Sequence, residues 1–242
     1  MMILVVGASG ATGRLLVEHL LNQGQNVKAI VRSPDKLPDS VKNHPKLSLI
    51  QASLLELSDA EMGQHVKGCH AVASCLGHNM SLMGIYGHPR KLVTDAARRL
   101  CDAITANKPE EPVKFVLMNT AGNSNRDLPE RISFGEKCVI GLLRLLLPPH
   151  VDNEQAADFL RTKIGQDDET IEWAVVRPDN LVDEREVTDY DVYASPIRSA
   201  MFDAGLTSRI NVAHFMADLI TNEGTWRKWK GQMPVIYNKV SS

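Results

Sequence analysis

Three glycines near the start of the chain have the spacing of a nucleotide-binding turn. Gly7, Gly10 and Gly13 follow the apolar run 2–6 and precede a helical pattern over 12–22. In such a turn the first glycine permits a sharp exit from a strand, the second lets the backbone approach a pyrophosphate, and the third lets the helix pack closely on the sheet. The free N–H groups of the helix then face the phosphates. The predicted contacts in this turn are Gly7, Ser9, Gly10, Ala11, Thr12 and Gly13.

The residues after the turn indicate more than an ordinary bend. A helix of about eleven residues is followed by a second apolar run at 27–31, which has the composition of a strand. Strand, glycine turn, helix and strand make a complete βαβ unit. The context therefore favours a dinucleotide site over a purely structural turn.

Basic residues at the end of the second strand indicate which dinucleotide is expected. An acidic side chain there would bind the ribose of NAD and repel a 2′-phosphate, but this chain has Arg32, followed by Ser33 and Lys36. A guanidinium, a hydroxyl and an ammonium can converge on one phosphate group. We therefore expect NADP(H) as the cofactor. The alternative for Arg32 is a solvated surface arginine.

Composition is that of an ordinary soluble domain. The 242 residues are 43% hydrophobic and carry a formal net charge of −2, with both signs evenly mixed. This excludes a broad basic surface, so nucleic acid is not expected as a partner. We predict one NAD(P)-binding domain over 1–242. The stretch 179–207 has no clear periodicity and is expected to form a small substrate lobe.

Cysteine and histidine usage argues against disulfides and metals. The four cysteines form no Cys-x-x-Cys pair, and the eight histidines show no His-x-x-x-His spacing. Because the chain also begins with a strand pattern and not a signal peptide, we expect a reducing, cytoplasmic compartment and no metal.

The apolar segment 138–147 is too short to cross a bilayer and contains Arg144. We therefore predict no integral membrane segment. Pro148 and Pro149 end this segment, which is interpreted as a buried helix or a helix packed on a second subunit; peripheral membrane contact is the remaining alternative.

Further along, strand patterns such as 71–74 alternate with helical patterns such as 153–163, which predicts a Rossmann-type, doubly wound and mostly parallel sheet with helices on both faces. Ligands of such sheets lie at the carboxyl ends of the strands. After the third and fourth strands, the candidates expected to border the adenine and the nicotinamide ribose are Ser53, Leu54, Cys75, Leu76 and Gly77. After the fifth and sixth strands, the candidates for ribose or substrate contacts are Asn119, Thr120, Arg177 and Pro178.

Several motifs together resemble a known superfamily. The turn at 7–13, the sequence Val-Arg-Ser at 31–33, the sequence 173–178 with its Arg-Pro pair, and the segment 208–213 are similar to the atypical short-chain dehydrogenase/reductases. The nearest branch is the NAD(P)H-binding, NmrA-like group that includes biliverdin-IXβ (flavin) reductases. The resemblance spans nearly the whole chain, but its motifs do not define a substrate.

Conventional members of this superfamily use a Tyr-x-x-x-Lys pair, and this chain has none. The region 149–159 contains His150, Asp152, Asn153 and Glu154 but neither tyrosine nor lysine. Ordinary alcohol dehydrogenation is therefore disfavoured. Hydride transfer itself needs mainly an aligned acceptor, and the flavin-reductase-like branch also lacks the pair.

The resemblance leaves two functions open. The first is an NADPH-dependent reductase of a small, planar, conjugated acceptor such as a flavin or a quinone, with Asn119, Thr120 and His78 as candidate catalytic groups; for His78, a surface loop histidine is the alternative. The second is a non-enzymatic, NmrA-type NADP(H) sensor with a regulatory protein partner. A homodimer is possible in either case, and an isomerase would need a base that the sequence does not provide.

Overall fold

A central sheet carries the fold. The computed structural model describes residues 1–78, 81–130 and 132–239. Its strands are β1 (Met2–Val6), β2 (Asn26–Val31), β3 (Leu47–Gln51), β4 (Ala71–Ser74), β5 (Val113–Met118), β6 (Ile171–Pro178), β7 (Asn180–Val182), β8 (Tyr190–Tyr193), β9 (Leu206–Ser208) and β10 (Val235–Asn238).

Helices fill the connections between strands. They are α1 (Ala11–Asn22), α2 (Asp39–Lys42), α3 (Asp59–Val66), α4 (Leu82–Tyr86), α5 (Leu92–Ala106), α6 (Phe134–Leu146), α7 (Pro148–Phe159), α8 (Arg209–Thr221) and α9 (Glu223–Trp229). Short 3-10 turns cover Pro34–Lys36 and Leu54–Glu56, and a π-helical turn over Leu160–Ile164 continues α7.

The strand order confirms the predicted doubly wound sheet. The order is β3-β2-β1-β4-β5-β6-β10-β8, and every pair in it is parallel except β10 with β8. β2 and β3 are added on one side of β1, whereas β4 and the later strands of this sheet are added on the other side, so the strand order reverses at β1. Ligands of open α/β sheets bind at such a switch point.

The apolar runs bury both faces of the sheet. In β1, Ile3 and Val5 face a core completed by α1 and α8, whereas Leu4 and Val6 face a core completed by α3, α5 and α7. Alternate residues of a strand point to opposite faces, so a continuous apolar run is what a strand covered on both sides requires.

The segment 179–207 contains three short strands that the sequence did not indicate. β7 and β9 pair with each other, whereas β8 joins the edge of the main sheet beside β10. At three or four residues, these strands are too short to show a period. Part of the expected substrate lobe is therefore an extension of the central sheet.

Helices α6 and α7 differ from their predicted bounds. Helix α6 begins at Phe134, where Ser133 and Glu136 form a reciprocal capping box that the apolar segment 138–147 did not reveal. The proline pair ends α6 as predicted, but it also occupies the first turn of α7, which was expected to start at Asn153. Proline suits the first turn of a helix because those N–H groups have no partner within the helix.

Helix α6 is not a core helix of this chain. Only Ile140 is buried, whereas the exposed fractions of Phe134 and Leu145 are 83% and 79%. The exposed apolar side chains exclude the buried-helix interpretation. Packing on a second subunit and peripheral membrane contact are the interpretations that remain.

Candidate functional site

The glycine turn between β1 and α1 packs directly against the end of β4. Gly7 has a φ of +72°, and a β-carbon at this position would lie 2.5 Å from the carbonyl carbon and oxygen of Cys75. A β-carbon at Gly13 would overlap the carbonyl oxygen of Gly7. Glycine is therefore required at Gly7 by backbone conformation and at Gly13 by close packing.

Helix α1 begins with free backbone donors. It starts at Ala11 with no side-chain cap and no acidic residue in its first turn, while the N–H of Gly10 donates to the carbonyl of Gly7 at 3.0 Å. By contrast, Ser58 and Ser133 cap α3 and α6. Uncapped N–H groups and the positive end of the helix dipole favour an anion at this point.

A cavity of about 450 Å³ opens along the carboxyl ends of β1 to β4. Its volume is typical of small-molecule sites. It brings together the glycine turn, the basic end of β2 and the residues after β3 and β4. The predicted site residues that line it are Gly7, Ser9, Gly10, Arg32, Lys36, Ser53, Leu54, Cys75, Leu76 and Gly77.

Other lining residues were not singled out from the sequence. They are Val6, Ile30, Val31, Ala52, Leu55, Glu56, His88, Pro89 and Leu92. The first three are the last apolar residues of β1 and β2, so the ends of the predicted strands were a usable signal. The stretch 88–92 precedes α5 and has no local pattern that indicates a ligand contact.

The thiol in this cavity is a neutral group. Burial raises the pKa of Cys75 to about 12, and its Sγ lies 4.0 Å from the Sδ of Met216. A thiol with such a pKa stays protonated near neutral pH and is not a nucleophile. Cys75 therefore contributes shape and not reactivity.

The basic end of β2 lies at an exposed edge of the cavity. Arg32, Ser33 and Lys36 are all exposed, and the two cations line the cavity while Ser33 lies beside them. Within 1–78, 81–130 and 132–239, no carboxylate forms an ion pair with either Arg32 or Lys36. Both cations are thus available to an anionic ligand.

The remaining predicted residues lie outside the lining of the cavity. Ala11, Thr12 and Gly13 form the first turn of α1, in which Thr12 and Gly13 are buried. Asn119 and Thr120 follow β5 on the far side of β4, and Arg177 and Pro178 end β6.

Arg177, a predicted cofactor contact, forms internal contacts and does not line the cavity. It is fully buried, and its Nη2 lies 2.7 Å from Glu130 Oε1. Its five N–H groups donate to that carboxylate and to the carbonyl oxygens of Met233, Asn123 and Ala194. A guanidinium has five N–H donors, so none is left for a ligand. The Arg-Pro pair therefore locks the end of β6 to the loops around it.

Asn119 likewise connects elements of the chain. Its Nδ2 donates to the carbonyl of Asn153 at 2.8 Å, and its Oδ1 accepts from the N–H of Thr120 at 2.9 Å. These bonds fix the loop after β5 against α7. The predicted catalytic role of Asn119 stays a prediction, because its side-chain amide is buried in this contact.

The side chain of His78 is buried against Asp152 and is not that of a surface loop histidine. Its Nε2 lies 2.7 Å from Asp152 Oδ2, and its Nδ1 lies 3.2 Å from the carbonyl oxygen of Gly84. Only 5% of the His78 side chain and 1% of the Asp152 side chain are exposed. Both ring nitrogens therefore lie within hydrogen-bond distance of an oxygen atom of the protein.

The carboxylate of Asp152 also caps another helix. It accepts from the N–H of Val93 at 2.8 Å and from the N–H of Thr94 at 3.0 Å, both in the first turn of α5. The hydroxyl of Thr94 donates back to the carbonyl of Asp152 at 2.9 Å. His78 and Asp152 thus join the loop after β4 to α5 and α7, next to the cavity.

Tyrosine chemistry is disfavoured by the surroundings of two tyrosines. Burial raises the pKa of Tyr190 and that of Tyr237 to about 12. A catalytic tyrosine needs the opposite shift, towards the working pH. These two phenols stay neutral and pack in the region of β8 and β10.

The residues around the cavity fit a dinucleotide. The close contact of Gly7 and Gly13 leaves no side chain over the turn, the first turn of α1 offers free donors, and two cations lie at the other end. A pyrophosphate at the turn is an anion that such a cavity accommodates.

The profile of the NAD(P)H-binding family matches residues 7–223. The chain therefore belongs to the NAD(P)H-binding family, and its fold agrees with the resemblance to atypical short-chain dehydrogenase/reductases. A curated relative from Synechocystis sp., named as a candidate dihydroflavonol 4-reductase, is 35% identical over 74 residues. This match covers 31% of the chain, which therefore spans about a fifth (20%) of the length of that relative.

Solved structures share the fold at low sequence identity. A wide-type short-chain dehydrogenase/reductase from Veillonella parvula, in complex with NADP, has a TM-score of 0.70 and 18% identity, with 98% of this chain and 94% of that one covered. A candidate NADH-flavin reductase from Streptococcus pneumoniae has a TM-score of 0.65 and 19% identity, with 99% and 100% covered. At this identity they show the fold alone.

None of the helices within the described part of the chain is long and apolar enough to cross a membrane.

Proposed function

We propose that this protein is an NADPH-dependent oxidoreductase that transfers hydride to a small, planar, conjugated acceptor such as a flavin or a quinone. One observation carries the proposal: one cavity joins a glycine turn with uncapped helix donors to Arg32 and Lys36, neither of which pairs with a carboxylate in the described part of the chain. Membership of the NAD(P)H-binding family supports a nicotinamide cofactor.

The preference for the phosphorylated cofactor rests on charge. A phosphate monoester carries close to two negative charges, and a guanidinium with a nearby ammonium binds such a group through charge-assisted hydrogen bonds. NADH has no group that needs these cations. Arg32 and Lys36 therefore favour NADPH, and the hydroxyl of Ser33 adds a third donor.

When bound, the nicotinamide supplies the hydride. The chain has to hold the dinucleotide and align an acceptor, which the glycine turn and the loops after β4 and β5 are positioned to do. A conjugated acceptor suits a site without a Tyr-x-x-x-Lys pair, because its extended π system accommodates the incoming electrons. Relatedness in fold to a candidate NADH-flavin reductase is in keeping with this class of acceptor.

The cofactor preference is tested by direct binding. Replacing Arg32 with Ala should weaken NADPH binding by about 1.5–3 kcal/mol, the range for charge-assisted hydrogen bonds, and leave NADH binding nearly unchanged. Isothermal titration calorimetry measures both. Arg227→Ala is the matched control, because Arg227 is an exposed arginine on α9 and does not line the cavity. Equal losses for the two cofactors would refute the phosphate assignment.

The reaction is tested by the initial rate of NADPH oxidation with flavins, quinones and conjugated aldehydes. We expect turnover with at least one class and a lower rate in Arg32→Ala at subsaturating NADPH. A protein that binds NADPH but oxidises none of these acceptors would instead be a sensor of cofactor redox state.

A further inference from the structure

A buried histidine on α7 has an unsatisfied ring nitrogen. His150 lies in the first turn of α7, 10% of its side chain is exposed, and its buried Nε2 has no hydrogen-bond partner among the described residues. An unpaired polar atom in the interior costs about 1–3 kcal/mol, so native proteins rarely keep one without a use.

A fixed carboxylate lies beside this imidazole. Glu154 lies one turn further along α7, and its Oε1 is 3.5 Å from His150 Nε2. The guanidinium of Arg144 on α6 donates a hydrogen bond of 2.8 Å to each carboxylate oxygen of Glu154. Burial alone would raise the pKa of Glu154, but the contacts with His150 and Arg144 lower it to about 2. Glu154 is thus ionised across the physiological range.

The imidazole of His150 lies beside the loop after β5. The point where a β-carbon of Gly122 would lie is 3.8 Å from His150 Cε1, 3.7 Å from the Oγ1 of Thr120 and 3.3 Å from the Cε of Met201. An imidazole, a hydroxyl and a thioether methyl thus lie around one methyl-sized position, which the absence of a side chain at Gly122 allows.

Observed contacts join the helix of His150 to the loop at the cavity. β4 and β5 are paired in parallel with Ser74 opposite Leu117, so the loops after the two strands leave the same edge of the sheet side by side. Gly77 lines the cavity, and the neighbouring His78 contacts Asp152 on α7, two residues after His150.

We propose that His150 donates the proton to the reduced acceptor, which is a conjugated carbonyl compound. Glu154 is a positioning residue that orients the imidazole ring of His150 through Nε2. This inference rests on the proposed reductase function. A carboxylate that holds one imidazole nitrogen leaves the other, Nδ1, for proton transfer. The distance of 3.5 Å between Nε2 and Glu154 Oε1 is long for a hydrogen bond, and contacts of this kind often shorten when substrate binds.

The step balances with NADPH as the reductant and the carbonyl compound as the oxidant. The electrophilic carbon of the acceptor gains a hydride, and its π electrons move through the conjugated system onto the carbonyl oxygen. An N–H bond of the His150 imidazolium breaks as the O–H bond of the product forms. NADP⁺ and the reduced product result, and His150 regains its proton from water.

The test compares His150→Gln, Glu154→Gln and the matched control His65→Gln on α3, each checked for folding by circular dichroism. With a quinone or a conjugated enal as acceptor, we expect His150→Gln to lower kcat by about 100-fold, within the range for loss of a general acid, and to leave the Kd for NADPH unchanged. The alkaline fall of kcat in the wild type should disappear in His150→Gln. Riboflavin, whose ring nitrogens can take protons from water, should show a much smaller loss.

A second readout needs no turnover. The ¹⁵N resonances of the His150 ring are recorded by NMR in the cofactor-free protein, where the carboxylate of Glu154 faces Nε2 and Arg144 binds that carboxylate. Removing the negative charge should shift the Nε2 resonance in Glu154→Gln, and the resonance should stay in place in His65→Gln.

Two results would overturn the inference. Wild-type kcat and an unchanged pH profile in folded His150→Gln would refute the role of His150 as proton donor, and an unchanged Nε2 resonance in Glu154→Gln would refute the positioning role of Glu154. Failure of the wild type to oxidise NADPH with any acceptor, despite binding it, would instead refute the proposed reductase and with it any need for a proton donor.

Discussion

Replacing Arg177 with Met separates the internal role of this arginine from a role in ligand binding. Methionine has a similar reach and no charge, so the change removes five hydrogen bonds and leaves the volume roughly filled. The carboxylate of Glu130, of which only 4% of the side chain is exposed, then remains buried without its cation.

The expected loss of stability follows from that burial. Breaking a buried ion pair by removing one partner costs about 3–5 kcal/mol, because an uncompensated charge is left in the interior. The orphaned carbonyls of Met233, Asn123 and Ala194 add to this cost unless water reaches them. We therefore expect Arg177→Met to lower the free energy of unfolding by about 4 kcal/mol, a large part of the roughly 5–15 kcal/mol of a typical domain.

Urea denaturation followed by circular dichroism measures this loss, with Arg198→Met as the control. Arg198 pairs with Asp203 at the surface, where the two side chains are 40% and 63% exposed, and such a pair is worth at most about 1 kcal/mol. The folded Arg177→Met variant should bind NADPH with unchanged affinity. A loss below about 1 kcal/mol, or weaker NADPH binding at unchanged stability, would refute the internal role and restore the contact predicted from the sequence.

Two further predictions concern Glu154 and the glycine turn. The folded-state pKa of Glu154, about 2, lies below its ordinary value of 4.5. The ionised carboxylate therefore contributes fully to stability above pH 4.5, and this contribution is lost as the pH falls towards 2. The free energy of unfolding should fall less steeply over this pH interval in Glu154→Gln than in the wild type, and parallel curves would contradict the assignment. Gly13→Ala should destabilise the protein by about 1–3 kcal/mol and weaken NADPH binding, because the new β-carbon overlaps the carbonyl of Gly7. Gly141→Ala on α6, where a β-carbon meets nothing within 4 Å, should leave both quantities unchanged or gain stability, and thermal melts with calorimetry distinguish the two variants.

The architecture was largely predictable from local patterns. The strand at 71–74 was located with its observed bounds, and the βαβ unit around Gly7 to within a residue or two, because long apolar runs and glycine spacing are local signals. The strands inside 179–207 were not predictable. β8 is held by its pairing with β10, some 45 residues later, and nothing in four residues encodes that partner.

The sequence allowed the residues at the cavity to be predicted where their position follows from strand ends and glycine turns. It did not allow the partners of side chains to be predicted where those partners are distant in the chain. The glycine turn, Arg32 and the ends of β3 and β4 do meet at one cavity, as the rule for parallel sheets implies. The environment of Arg177 depends on Glu130, 47 residues away, and that of His78 depends on Asp152, 74 residues away. Residue type alone made both look available for a ligand.

The cap that Asp152 provides makes two helices depend on one another for folding. The first turn of α5 receives its carboxylate acceptor from a residue 58 or 59 positions later in the chain, so the start of α5 gains these bonds only once α7 has docked. Opening of α7 in the native state must in turn expose the N–H groups of Val93 and Thr94. The two helices, with the loop that His78 ties to them, thus form one cooperative unit beside the cavity, and the amide exchange rates of those two residues report on the docking of a helix to which they do not belong.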